Sequence, residues 1–193
     1  DLDFKIFRKR PNKLRIQINR NGFQINTIYD GRNAWIELVN QSDEIDIIEL
    51  DEDEQFKIAK DSKFDSPFFI DPFDLRHVTV VGYDNIGGRE AIRLDFDPKM
   101  NFEYKSIWLS LDHYQEIKLL KILPSKEDPE TGETIELYEE IIVEDFFKTG
   151  NVYWAKKMRH SVDGEPFKEI HIKDVQANIG VFNYLFKRSS NAK

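Results

Sequence analysis

The segment Leu14-Arg15-Ile16-Gln17-Ile18-Asn19 alternates aliphatic with polar side chains, one residue at a time. Successive Cβ atoms of a β-strand point to opposite faces, so this run specifies a strand with one buried face and one wet face. Two turn dipeptides follow, Asn21-Gly22 and Asp30-Gly31. Asn, Asp and Gly tolerate the positive φ that tight reversals demand, so the chain turns back at both places. The opening forty residues therefore read as three antiparallel strands, the third being Ala34-Trp35-Ile36-Glu37-Leu38.

The texture then changes. Asp43 to Glu54 carries eight acidic residues and no basic one, and it runs into Phe56-Lys57-Ile58-Ala59-Lys60. Acids at the front and Lys at the back complement the helix macrodipole, which predicts a helix from about Asp51 to Lys60. The acid run lacks the Gly and the terminal Glu that a calcium loop of the EF-hand type needs. Next comes Ser66-Pro67-Phe68-Phe69-Ile70-Asp71-Pro72-Phe73. Its prolines forbid a central strand, so it reads either as a plug at the end of a core or as a lid over a ligand cavity.

From His77 onward the pattern is nearly all strand: His77 to Tyr83 against Arg89 to Asp97, Lys105 to Leu111 against Glu116 to Leu123, then Glu133 to Asp145. Gly150-Asn151 and Asp163-Gly164 bracket two more, Val152 to Ser161 and Pro166 to Asn178, and Gly180 to Lys187 closes as a short turn or helix. Nine or ten strands in sequence order must curl, because long antiparallel sheets twist and tend to close. The expected fold is mainly β (α+β): an antiparallel meander curled into an open half-barrel, with a short helical lid inserted after the third strand. At 193 residues with no Gly/Ser/Pro-rich break, it is read as one domain over residues 1–193.

Composition narrows the chemistry. A net charge of −8 disfavours nucleic acid, which must be approached against like charge. With no cysteine there is no disulfide, thiolate metal site or thiol nucleophile. His77, His113, His160 and His171 stand too far apart in sequence for a two-histidine metal motif, and each reads as a surface or strand-end residue. Phosphate loops, nucleophile elbows and dinucleotide fingerprints are absent. Asp95 and Asp97 alternate with Leu94 and Phe96, which assigns the acids to a solvated face. The chain is expected to be no enzyme, with no metal and no cofactor. What remains is an apolar cavity in a curled sheet, where an acyl chain gains about 0.8 kcal/mol per CH₂ removed from water.

Several motifs together resemble a known family. Lys9-Arg10-Pro11-Asn12-Lys13-Leu14, Asp30-Gly31-Arg32-Asn33-Ala34-Trp35, and Gly88-Arg89 opening a strand that ends Leu94-Asp95-Phe96-Asp97-Pro98-Lys99 look like the bacterial outer-membrane lipoprotein-sorting proteins, the LolA/LolB-like periplasmic carriers. The Asp112 turn and the close from Val175 to Phe186 resemble their broader relatives. The resemblance implies a half-barrel with a helical lid that carries lipid or lipoprotein acyl chains through the periplasm, as a monomer that meets a membrane-bound donor or acceptor protein. Arg10 falls where such carriers hold an arginine that hydrogen-bonds the lid. By the same resemblance the family's first helix and first strand lie upstream of Asp1, and the acidic stretch Asp43 to Glu54 is a departure from the dedicated carriers. Candidate cavity and lid residues are Arg10, Ile16, Ile18, Trp35, Ile36, Leu38, Phe56, Phe68, Phe69, Leu94 and Phe96. The competing reading is a non-catalytic envelope interaction or sensing module on the same fold, its cavity filled by its own side chains.

Overall fold

The computed structural model describes residues 2–63, 74–100, 102–127 and 131–189. The chain divides into two compact units, Asp1–Phe69 with Asn178–Lys193, and Ile70–Ala177. Each is built on one antiparallel sheet.

The first unit carries β1 (Phe4–Lys9), β2 (Lys13–Arg20), β3 (Phe23–Tyr29), β4 (Ala34–Val39) and β5 (Ile45–Glu49), paired in sequence order, followed by α1 (Glu52–Asp61). The second carries β6 (Val78–Ile86), β7 (Arg89–Phe96), β8 (Tyr104–Ser110), β9 (Glu116–Glu127), β10 (Thr134–Thr149), β11 (Val152–Val162) and β12 (Glu165–His171), again each beside its sequence neighbour. A short 3-10 turn, Asn183–Phe186, returns to the first unit. The fold is mainly β, with one short helix among the described residues, and the first and last strands of each sheet do not pair, so neither is a closed barrel.

Two strands were not anticipated, and they move the helix. β1 pairs with β2 from Phe4↔Ile18 to Lys9↔Lys13, and Arg10 to Asn12 make the turn between them. β5 hides inside the acid run, where Ile45 and Ile47 alternate with Asp46 and pair with β4. The helix consequently follows the fifth strand, not the third. Acid count obscured a strand whose apolar residues keep period two.

α1 begins where its chemistry requires. The Asp51 carboxylate accepts the Glu54 N–H at 2.8 Å, and the Glu54 carboxylate accepts the Asp51 N–H at 3.2 Å. This reciprocal pair satisfies two donors that the first turn leaves without partners. Ile58 and Ala59 pack on Leu14, Tyr29 and Ala34, the wholly or nearly buried cluster at one end of the sheet. Gln55 ties helix to sheet by donating to the Leu50 carbonyl at 3.1 Å and accepting the Ala34 N–H at 3.4 Å.

Candidate functional site

In the five-stranded sheet, register determines which side chains share a face. Ile6, Ile16, Thr27, Ile36 and Ile48 form one cross-strand row, and Phe4, Ile18, Ile25, Leu38 and Asp46 the next. Both lie on the same face as Leu14, Tyr29 and Ala34, the row beneath α1. Burial falls away from the helix: Leu14 is 0% exposed, whereas Ile6 and Ile48, at the two edges, are 46% and 43% exposed. Between them Ile16, Ile18, Ile36 and Leu38 are half-buried. The result is a mostly aliphatic ladder, with Thr27 at the centre of one row and Phe4 and Asp46 at the ends of the other, that is only partly buried.

The candidate residues therefore separate. Ile16, Ile18, Ile36 and Leu38 come together on this apolar face. Trp35 stands on the opposite face, nearly buried, with its Nε1–H donated to Glu37 at 3.3 Å. Phe56 sits on α1 but is largely exposed, and Arg10 is exposed in the β1–β2 turn. Phe68 and Phe69 lie outside the described residues. Leu94 and Phe96 belong to the second unit, where they share a face with Ile107 and Leu119. Phe96, Ile107 and Leu119 are buried there.

The two motifs at the start of the chain meet each other. Asn12 Nδ2 donates to the Gly31 carbonyl at 3.3 Å, while Asp30 Oδ1 accepts the N–H groups of Arg32 and Asn33, both at 2.8 Å. That Asx turn fixes the reversal into Ala34 and Trp35.

The face expected to be wet is covered. Asn26 is 0% and Glu37 2% exposed, although both sit on the polar face with Arg15, Gln17 and Gln24. Gln17 donates to Gln24 at 2.9 Å and Gln24 to Asn26 at 3.1 Å. The C-terminal segment lies over this network: Arg15 Nη1 donates to the Leu185 carbonyl at 3.0 Å, and the Ser189 N–H to Glu37 at 3.0 Å. Burial lowers the Arg15 pKa, and the charge of Glu37 opposes that shift. Beside the segment is a cleft of about 540 Å³ whose walls include Lys13, Asp30, Trp35, Glu49 and Arg188. Local sequence carried no sign of this cover, because the segment comes from some 150 residues away, as the Glu37–Ser189 bond shows.

In the second unit, Asp95 is not a free carboxylate. Arg93 grips it with two bonds of 2.7 and 2.9 Å, and the guanidinium also lies 5.1 Å from the centroid of the Trp108 ring. The Asp95 bond raises the Arg93 pKa. His160, read as a surface or strand-end residue, is instead buried against Glu139. Among the described residues, no group of three or more His, Cys, Asp or Glu side chains is placed to hold a metal ion, and no helix is long and apolar enough to cross a membrane.

No family model matches the chain, and no curated protein does. Two solved structures are similar to it. One is a DUF1329 family protein from Desulfovibrio piger, at 12% identity and a TM-score of 0.43, over 95% of this chain and 79% of that one. The other is a domain provisionally described as an outer membrane lipoprotein-sorting protein domain, from Vibrio parahaemolyticus, at 10% identity and a TM-score of 0.41, over 96% of this chain and 83% of that one. At such identities the functional reading rests on the geometry of the sheet itself.

Proposed function

We propose that the protein is a non-catalytic carrier that holds the acyl chains of a lipid or lipoprotein against the apolar face of its five-stranded sheet. The observation that supports this most is the half-covered row Ile6–Ile16–Thr27–Ile36–Ile48. Four of its five side chains are isoleucines, interrupted only by Thr27 at the centre, and an exposed patch of this kind marks an interaction or ligand-binding surface. In this reading the sheet is one wall of an open half-barrel and α1, with the exposed Phe56, is its movable lid. Arg10 acts at the rim as a hydrogen-bond donor to the closed lid. The setting is the periplasm, with the carrier exported as a monomer or anchored at the outer membrane, and a membrane-bound protein gives or receives the cargo.

Native mass spectrometry after mild purification tests it. Adducts with lipid masses are the expected result. Repeated absence of any lipid contradicts the carrier and assigns the fold to an envelope interaction or sensing module with a self-filled interior.

A further inference from the structure

The segment after Asn178 lies on the polar face of the five-stranded sheet without joining it as a strand. It is held largely through its main chain. Lys9 Nζ donates to the Val181 carbonyl at 2.7 Å, Arg15 Nη1 to the Leu185 carbonyl at 3.0 Å, and the Ser189 N–H is donated to Glu37 at 3.0 Å. Among its described side chains only Phe186 is buried, at 1% exposed, and Arg188 pairs with Glu49. Contacts to carbonyls and N–H groups are not specific to this sequence, so another polypeptide with an aromatic anchor can make them.

The floor under the segment is left partly unsatisfied. Arg15 Nε and Asn26 Nδ2 are both buried donors without an acceptor, and Asn26 is 0% exposed. Buried polar groups are nearly always paired, because a donor removed from water loses its bonds there and needs a replacement. The occupant now in place supplies none to these two. It is also thinly attached: Ile179, Phe182 and Tyr184 are 58%, 66% and 66% exposed. Few buried apolar contacts mean a low free energy of local opening.

We propose that this polar face is a binding groove for an extended polypeptide segment of a partner protein, and that residues 178–189 fill it as a displaceable internal occupant. The partner segment carries an aromatic side chain for the place of Phe186 and brings an amide or main-chain carbonyl to Arg15 Nε and Asn26 Nδ2. A carboxylate fits less well, since Glu37 is the cross-strand neighbour of Asn26 and acts on Arg15. The groove is on the face opposite the proposed acyl-chain surface, so either reading stands or falls without the other.

The probe is a fluorescein-labelled peptide with the sequence of residues 178–189, titrated into the full chain and into Phe186→Ala, whose internal copy has lost its anchor. A groove occupied by its own chain shows an affinity reduced by the fraction of time it is empty. Binding to Phe186→Ala about tenfold or more tighter than to the parent chain is expected, with loss of binding when the peptide's own anchor is changed to Ala. Equal binding to both chains overturns the proposal. So does a concentration-dependent dimer of the parent chain without peptide, which assigns the groove to a second copy. Hydrogen exchange on the parent chain decides without any variant. The Leu185 and Lys187 amides, bonded within the segment to Phe182 and Tyr184, are expected to exchange far faster than the β2–β3 ladder, and equal protection overturns displacement.

Discussion

His160 Nδ1 lies 2.5 Å from Glu139 Oε1 with both side chains buried, and His160 Nε2 has no hydrogen-bond partner. Around the pair stand Lys168, 4.0 Å from the same carboxylate oxygen, the edge of the Phe167 ring, and Lys121, the cross-strand neighbour of Glu139. Burial lowers the His160 pKa most strongly; the Glu139 bond pulls it up, and the Lys168 and Lys121 charges push it down. The net direction is down, so the unfolded chain, with its histidine near about 6.5, takes the proton first as pH falls. The stabilisation is therefore complete above that value and is lost as pH drops through the folded pKa. Urea unfolding at neutral pH and at about pH 5 is expected to show a larger loss for the parent chain than for His160→Gln. Equal losses would remove His160 from the pH response.

The helix over the Leu14–Tyr29–Ala34 cluster depends on its cap. Asp51→Ala removes the acceptor for the Glu54 N–H and is expected to cost about 1 kcal/mol, while Asp51→Asn, which keeps an oxygen there, should cost only a few tenths. Urea midpoints at constant m-value measure both. Identical midpoints for Ala and Asn would mean that the cap contributes little.

Gly31 adopts φ +103, and a Cβ there would sit 3.0 Å from Asn12 Oδ1. Gly31→Ala is expected to destabilise the chain by about 1–3 kcal/mol through backbone strain and that approach. Asn12→Ala removes only the bond to the Gly31 carbonyl and should cost about 0.5–1.5 kcal/mol. Thermal unfolding of both variants gives the order; a costlier Asn12→Ala would contradict it.

What sequence reveals here follows from the range of the forces involved. Strands β2, β3 and β4 were legible because alternation and the Asn-Gly and Asp-Gly turns are local signals. The helix was legible from its charges: it was expected from about Asp51 to Lys60 and runs Glu52–Asp61, with Asp51 as its cap. β5 was not, since Asp46 and its acidic neighbours outweighed the alternation of Ile45 and Ile47. Residues Ile16, Ile18, Ile36 and Leu38 could be grouped because period two puts them on one face once register is known. Trp35 was grouped with them as the end of the Asp30-Gly31-Arg32-Asn33-Ala34-Trp35 motif, yet parity with Glu37 sends it to the other side. The burial of Asn26, Glu37 and His160 is set by partners distant in sequence, for which composition carries no signal.

The proposed acyl-chain surface is one named face of the five-stranded sheet, the one that carries Ile18. Ile18 and Asn19 are neighbours on β2 that project to opposite faces, and Asn19 is exposed. A photoreactive benzophenone side chain placed at each position in turn, with protein purified mildly, irradiated and measured by intact mass, separates the faces directly. Lipid-mass adducts are expected from position 18 and none from position 19. Adducts at 19 alone, or equal yields at both, would contradict it.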